Sequence, residues 1–146
     1  LRLVGSEMCI RDRFYQKHSR LVAVLTFAFF VLVGACNFPI YNLTREWPPT
    51  LTLIIVFVGL SLYTSLGTAE AAMLPHYGIQ HILPLNLLLV LLGMGARYLL
   101  EFGEVSNSYN FTVPNMLLHI GVTVTLSTLS WLWTKTVRGK NAKGEA

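Results

Sequence analysis

Ile82-Leu83-Pro84-Leu85-Asn86-Leu87-Leu88-Leu89-Val90-Leu91-Leu92-Gly93-Met94-Gly95-Ala96-Arg97-Tyr98-Leu99-Leu100-Glu101-Phe102 is an almost unbroken apolar run that turns polar only near its end. A bilayer core of about 30 Å needs roughly 20 helical residues at about 1.5 Å each, and this run meets that length. Three other runs resemble it: Leu21 to Phe38, Leu51 to Ala69 and Val113 to Thr134. The composition agrees with a lipid environment. Hydrophobic residues make up 53% of the 146 residues, charged residues only 12%, and the mean hydropathy is +0.55, whereas a soluble domain of this size needs a mixed charged surface. The runs lack the alternation of a membrane β-barrel and are rich in Leu. The expected fold is therefore all-α: a four-helix transmembrane bundle, up-down-up-down, with helices at about 21–38, 51–72, 82–102 and 113–134 inside a unit spanning 14–137.

Lys and Arg set the expected orientation, because short cytoplasmic loops carry an excess of them. Lys17 and Arg20 precede the first run, and Lys135, Arg138, Lys140 and Lys143 follow the last; the first connection has only Arg45, beside Glu46. Both termini are placed in the cytoplasm, as an even number of spans requires. Residues 138–146 are then a basic cytoplasmic tail, Tyr41 to Thr50 and Gly103 to Thr112 lie outside, and Met73 to His81 lies inside. Trp47 is expected at the outer interface and Trp131 and Trp133 at the inner one, where indole rings collect. The sequence pI of about 9.3 is explained by attraction of the basic tail to anionic headgroups, with no nucleic-acid partner. The expectation is a multi-pass plasma-membrane protein whose first partner is the lipid bilayer and whose candidate protein partner is another membrane protein or a second copy of itself.

The stretch Val4-Gly5-Ser6-Glu7-Met8-Cys9-Ile10-Arg11-Asp12-Arg13 resembles a peptide found at the ends of unrelated proteins where sequencing adapter is translated as coding DNA. Residues 1–13 are expected to be such an artefactual leader, with a basic arm as the alternative. Leaving them out removes charges of both signs and keeps the topology. Two glycosylation-type triplets, Asn42-Leu43-Thr44 and Asn110-Phe111-Thr112, fall on the expected outer side, but each lies close to a span, so no glycosylation is inferred. Val33-Gly34-Ala35-Cys36, preceded by Lys17, His18 and Arg20 and an apolar core, resembles a lipobox and makes Cys36 a candidate lipidation site. Against it stand the later spans and the Phe38-Pro39 pair.

Function would have to reside among polar residues inside the bundle, since polar groups facing lipid are costly. Helix periodicity aligns Thr26, Gly34 and Asn37 in the first run; Ser61, Thr64, Ser65 and Thr68 in the second; Asn86, Gly93 and Arg97 in the third; and Asn115, His119, Thr123, Ser127 and Ser130 in the fourth. The four stripes are expected to face one another, and packing accounts for most of them. Arg97 and His119 share a depth below the outer surface. Glu101 follows Arg97 by one turn and Asn115 precedes His119 by one turn. These four, Arg97, Glu101, Asn115 and His119, form the candidate polar cluster, read either as a structural clasp or as an outward pocket in which Arg97 attracts an anion and His119 titrates near neutral pH. On the inner side Glu70, His76, Tyr77 and His81 offer a carboxylate and two imidazoles, but their spacing fits no metal motif and no metal is expected. The sequence has no nucleophile elbow, HExxH, P-loop, CxxC or dinucleotide fingerprint, and no catalytic residue or cofactor is assigned. The prolines fall at span ends or in first turns, where they are tolerated, so no broken midmembrane helix of the transporter type is expected.

Gly95-Ala96-Arg97-Tyr98-Leu99-Leu100-Glu101-Phe102-Gly103, followed by Ser106 to Thr112, resembles part of a family of small bacterial four-helix integral membrane proteins of unknown function. The likeness covers the layout from about Phe14 to Lys140 and implies a bacterial plasma membrane without assigning an activity. The leading expectation is a noncatalytic accessory or partner-binding membrane subunit. Small-solute or anion transport, or ligand sensing through the Arg97 and His119 pocket, is the alternative, and a membrane enzyme is third.

Overall fold

The computed structural model describes residues 2–38 and 48–144, with side chains described for 18–38, 48–50, 53–54 and 56–138. Trp47, the Arg45 and Glu46 pair and the triplet at Asn42 lie outside the described residues, as do the side chains of the suspected leader. Every regular element among the described residues is helical: α1 (Arg2–Asn37), α2 (Pro49–Met73), α3 (Ile79–Leu100), α4 (Val105–Asn110) and α5 (Val113–Gly144).

Among the described residues three segments are long and apolar enough to cross a membrane: His18–Asn37, Ile79–Leu100 and Val113–Arg138. α1 is kinked at His18 (φ −117°, ψ 19°), at the junction between the basic Lys17 to Arg20 stretch and the apolar run. α2 is 25 residues long and has Pro49 at its start, where the missing N–H of proline has no helical partner to lose. α3 starts three residues earlier than expected, at Ile79, so Pro84 lies in its second turn. There it withholds one hydrogen bond from the carbonyl of Gln80, and the helix continues to Leu100.

Two connections differ from the expected loops. Glu101 closes α3 through its N–H to the Arg97 carbonyl at 3.0 Å. Gly103, at φ +88°, then turns the chain through the left-handed region that favours glycine. The residues beyond it wind into α4, within the connection from Gly103 to Thr112. At the other end α5 continues to Gly144, so the expected tail begins as a continuation of the last helix.

α2 lies along α5, α1 along α3, α3 against α5, and α1 touches α2. Apolar layers fill the space between them. Phe30, Leu66 and Leu89 form one, Phe38, Val90 and Met94 a second, and Ala71, Ile82 and Trp131 a third. Large apolar side chains also cover the outside: Phe57 is 71% exposed, Leu100 74% and Trp133 75%. Such a surface suits lipid, which no charged coat would. The two tryptophans of α5 separate, since Trp133 is exposed while Trp131 is packed in the third layer.

Glycine permits two tight helix approaches. A Cβ on Gly93 would stand 3.2 Å from the Val31 carbonyl oxygen and 3.3 Å from Ala35 N of α1. At Gly67 of α2 the fit is tighter: a Cβ would fall on the Ser127 carbonyl oxygen, 2.7 Å from Trp131 N and 2.9 Å from Ser130 Cβ. Backbone atoms cannot swing aside, so small residues here permit contact between helices that lipid does not drive together. The hydroxyl of Ser130 uses that proximity, donating to the Thr64 carbonyl at 2.6 Å.

The polar stripe of α2 does not face the interior as expected. Ser61, Thr64, Ser65 and Thr68 are exposed, and each hydroxyl donates to a carbonyl of its own helix at 2.7–2.8 Å. Back-bonding of this kind lets a hydroxyl face lipid without an unsatisfied donor. The inward face instead carries Tyr63, Leu66, Gly67, Glu70 and Ala71.

Substituting Gly67→Ala should therefore wedge α2 from α5 and destabilise the folded protein by about 1–3 kcal/mol, a typical cost of overpacking. Gly121→Ala, where a Cβ meets nothing within 4 Å, should leave stability unchanged or slightly raised. Unfolding in mixed micelles followed by circular dichroism distinguishes the two.

Candidate functional site

The four residues of the expected outer cluster divide into two groups. Arg97, in the last turn of α3, donates from Nη2 to Glu101 Oε1 in an i,i+4 ion pair. The turn at Gly103 and the short α4 bring Asn110 back, and its Nδ2 donates to the second carboxylate oxygen of Glu101 at 3.0 Å. Both Glu101 oxygens are thus occupied. Asn115 is spent on the loop, donating to the Tyr109 carbonyl at 3.3 Å. Arg97 Nε and Asn107 Oδ1 are buried without hydrogen-bond partners among the described residues.

His119 lies among aromatic rings. The Phe38 ring packs edge-on to it at 5.0 Å and the Tyr63 ring at 5.8 Å, and Phe111 continues the layer at 4.8 Å from Phe38. His119 is only 2% exposed. No hydrogen bond or ion pair joins it to Arg97 among the described residues. Arg97 is engaged by Glu101 and His119 by the rings of Phe38 and Tyr63.

Nearer the opposite end of the helices the structure assembles a polar site that the sequence did not single out. Glu70, in the last turn of α2, and Asn86, on α3, are both fully buried, and Ser127 of α5 is buried with them. With its amide nitrogen toward the carboxyl group, Asn86 donates to Glu70 Oε1 at 2.6 Å and Oε2 at 3.3 Å; its oxygen then accepts from Ser127 Oγ at 3.0 Å and Thr128 Oγ1 at 3.3 Å. With the amide turned over, Nδ2 donates to Thr128 Oγ1 at 3.3 Å. Ser127 Oγ also lies within donating distance of the Thr123 carbonyl, at 2.8 Å. Three helices meet at one carboxyl group.

This arrangement corrects the sequence reading of Glu70. It does not join His76 and His81 at the surface: both imidazoles are exposed, and His81 stacks edge-on against Tyr77 at 5.4 Å. Among the described residues no group of three His, Cys, Asp or Glu side chains is placed to hold a metal ion. The signal for the buried site was faint but present, namely one carboxylate at the end of an otherwise uncharged run and one amide in a run of leucines.

Two basic residues of α5 hold the end of α2 beside this site. Arg138 Nη1 donates to the Ala71 carbonyl at 3.2 Å, one of the carbonyls that a helix C-terminus leaves without a partner. Lys135 Nζ donates to the Tyr77 carbonyl at 2.7 Å and sits 4.7 Å from the Trp131 ring centroid. Cations at a helix C-terminus are favourable partners for its dipole. Cys36 is a free thiol on the exposed side of α1.

The ion pair of Arg97 and Glu101 is asymmetric, with the Arg97 side chain 30% exposed and that of Glu101 10%. Arg97→Gln, which strands the deeper charge, should therefore destabilise more than Glu101→Gln, which leaves an arginine able to snorkel. The double variant should lose less than the sum of the two, with a coupling of roughly 0.5–3 kcal/mol; unfolding of the three variants in micelles measures it. No family model, curated protein or solved structure matches this chain, and its function must be read from its own geometry.

Proposed function

We propose that the chain is a multi-pass protein of a bacterial plasma membrane, crossing it four times up-down-up-down with both termini inside, and that it acts as a noncatalytic accessory subunit binding a transmembrane helix of a partner protein. The 25-residue length of α2 supports the fourth crossing. The distribution of Lys and Arg supports the orientation.

The observation that carries the partner-binding reading is a cleft of about 520 Å³ on the outer face between α2 and α5, lined by Leu60, Leu117, Leu118, Gly121, Val122 and neighbouring residues. It continues through Leu126 into a second cleft that includes Thr64, Ser130 and Trp133. Gly121 opens onto empty space, and Thr125 follows one turn later on the same face. A small residue at each of these positions lets another helix approach its backbone closely, which is how helices associate in lipid. The reading of Arg97 and His119 as an open transport or sensing pocket is less well supported, since Arg97 is paired and His119 is enclosed by rings.

A photo-crosslinking residue at Gly121, expressed in the native host, should give a discrete adduct with one membrane protein, while the same residue at Leu91 on the exposed face of α3 should not. An adduct of the chain with itself would replace the accessory subunit by a homo-oligomer. Equal labelling at both positions would remove the docking face altogether. Arg97→Gln and His119→Ala proteins reconstituted in liposomes should show the same solute flux as the unmodified chain; loss of flux without loss of protein would favour transport.

A further inference from the structure

The Glu70 carboxyl group is fully buried where α2, α3 and α5 meet, and no described Lys, Arg or His forms an ion pair with it. The charged and titratable groups of the surrounding helices are engaged or lie elsewhere. On α5, Lys135 and Arg138 bind backbone carbonyls, and His119 sits in the aromatic layer. On α3, His81 stacks on Tyr77 at the surface and Arg97 pairs with Glu101; on α1, His18 and Arg20 lie at the kinked end, and on α2 the other inward ionisable group is the Tyr63 phenol, whose ring packs against His119 in the aromatic layer. An isolated buried carboxylate is costly to keep. Packing α2 onto α5 does not require one, because Gly67 and Ala71 already make that contact.

The partners around Glu70 accommodate two charge states with the same heavy-atom positions. When Glu70 is a carboxylate, the amide nitrogen of Asn86 donates to it and the hydroxyls of Ser127 and Thr128 donate to the amide oxygen. When Glu70 is a carboxylic acid, its O–H donates across the same 2.6 Å to the amide oxygen, and Nδ2 turns to Thr128 Oγ1 at 3.3 Å. Ser127 is then released to donate to the Thr123 carbonyl at 2.8 Å. A spacing of 2.6 Å lies in the range of O–H···O bonds, about 2.5–3.0 Å, and holds the two oxygens closer than a shared metal cation would. We propose that Glu70 and Asn86, with Ser127 and Thr128, form a proton-binding site in the interior of the helices, in which uptake of one proton is matched by a half-turn of the Asn86 amide. The proton comes from a hydronium ion, which leaves as water; no other bond is made or broken. Protonation removes the charge of the carboxyl group at which α2, α3 and α5 meet, so the three helices share one titrating element. The site is independent of the docking cleft, which lies on the opposite, outer side of α5.

Infrared difference spectra of the full chain in nanodiscs, recorded through a pH titration, test the proposal. The expected result is a carboxylic-acid C=O band that forms and fades reversibly, is missing from Glu70→Gln, and has its midpoint moved by about one pH unit in Asn86→Leu, because the amide binds the carboxylate more strongly than it binds the neutral acid. The midpoint should be the same in sodium and choline buffers. A carboxyl band that titrates unchanged in Glu70→Gln, or none at all, overturns the site; a midpoint that follows sodium concentration replaces the proton by a metal cation. Glutamine keeps the shape of Glu70 and can still donate to Asn86, so this variant should fold. If it fails to accumulate, unmodified protein labelled with carbon-13 at its glutamate carboxyls gives the answer: a titrating glutamic-acid band that exchanges slowly in deuterium oxide supports the site, and its absence rejects it.

Discussion

The tight approach of Gly67 of α2 to the backbone from Ser127 to Trp131 of α5 is the constraint from which the rest of the interior follows. It fixes the rotation of α2 about its axis. Once Gly67 points at α5, Tyr63 and Glu70 must point inward as well, being four residues before and three after it. The hydroxyl stripe one residue or so around the helix must then point outward. In water that rotation would be governed by hiding apolar surface; in lipid it is governed by how near two backbones can come and by which polar groups can satisfy themselves. Ser61, Thr64, Ser65 and Thr68 can bond to their own helix. The carboxyl group of Glu70 cannot, and it is given Asn86.

Seen along the helices, the polar groups form separate levels instead of one pocket. Arg97, Glu101 and Asn110 tie the end of α3 to α4. His119 follows within the aromatic layer of Phe38, Tyr63 and Phe111. Glu70, Asn86, Ser127 and Thr128 occupy the level nearest the basic end of α5, where Arg138 and Lys135 secure the carbonyls of α2 and its following turn. The face of α5 that runs through His119, Thr123 and Ser127 connects two of these levels. Its opposite face, around Gly121, is left open.

Much of the architecture was legible from the chain. Long uncharged runs produce long helices because a backbone without water must satisfy its own hydrogen bonds, and the runs from Leu21, Ile82 and Val113 correspond to the three segments of membrane-crossing length. The ion pair of Arg97 and Glu101 was legible too, since an i,i+4 spacing places both on one face. The helical turns of α4 were not, because six residues of mixed polarity carry no period. Nor was the separation of Arg97 from His119: depth follows from counting residues, but direction around the axis depends on which neighbour each helix meets.

The sequence by itself determined that this protein is helical and apolar, where its helices lie, and that its few polar residues would be expensive to misplace. Only the tertiary structure decided which of them face each other. Periodicity groups residues into faces without saying which face is buried, and here the choice was made by backbone contact at Gly67 and Gly93. The same contacts placed the single carboxylate of one run beside the single amide of another, through distances that no spacing along the chain encodes.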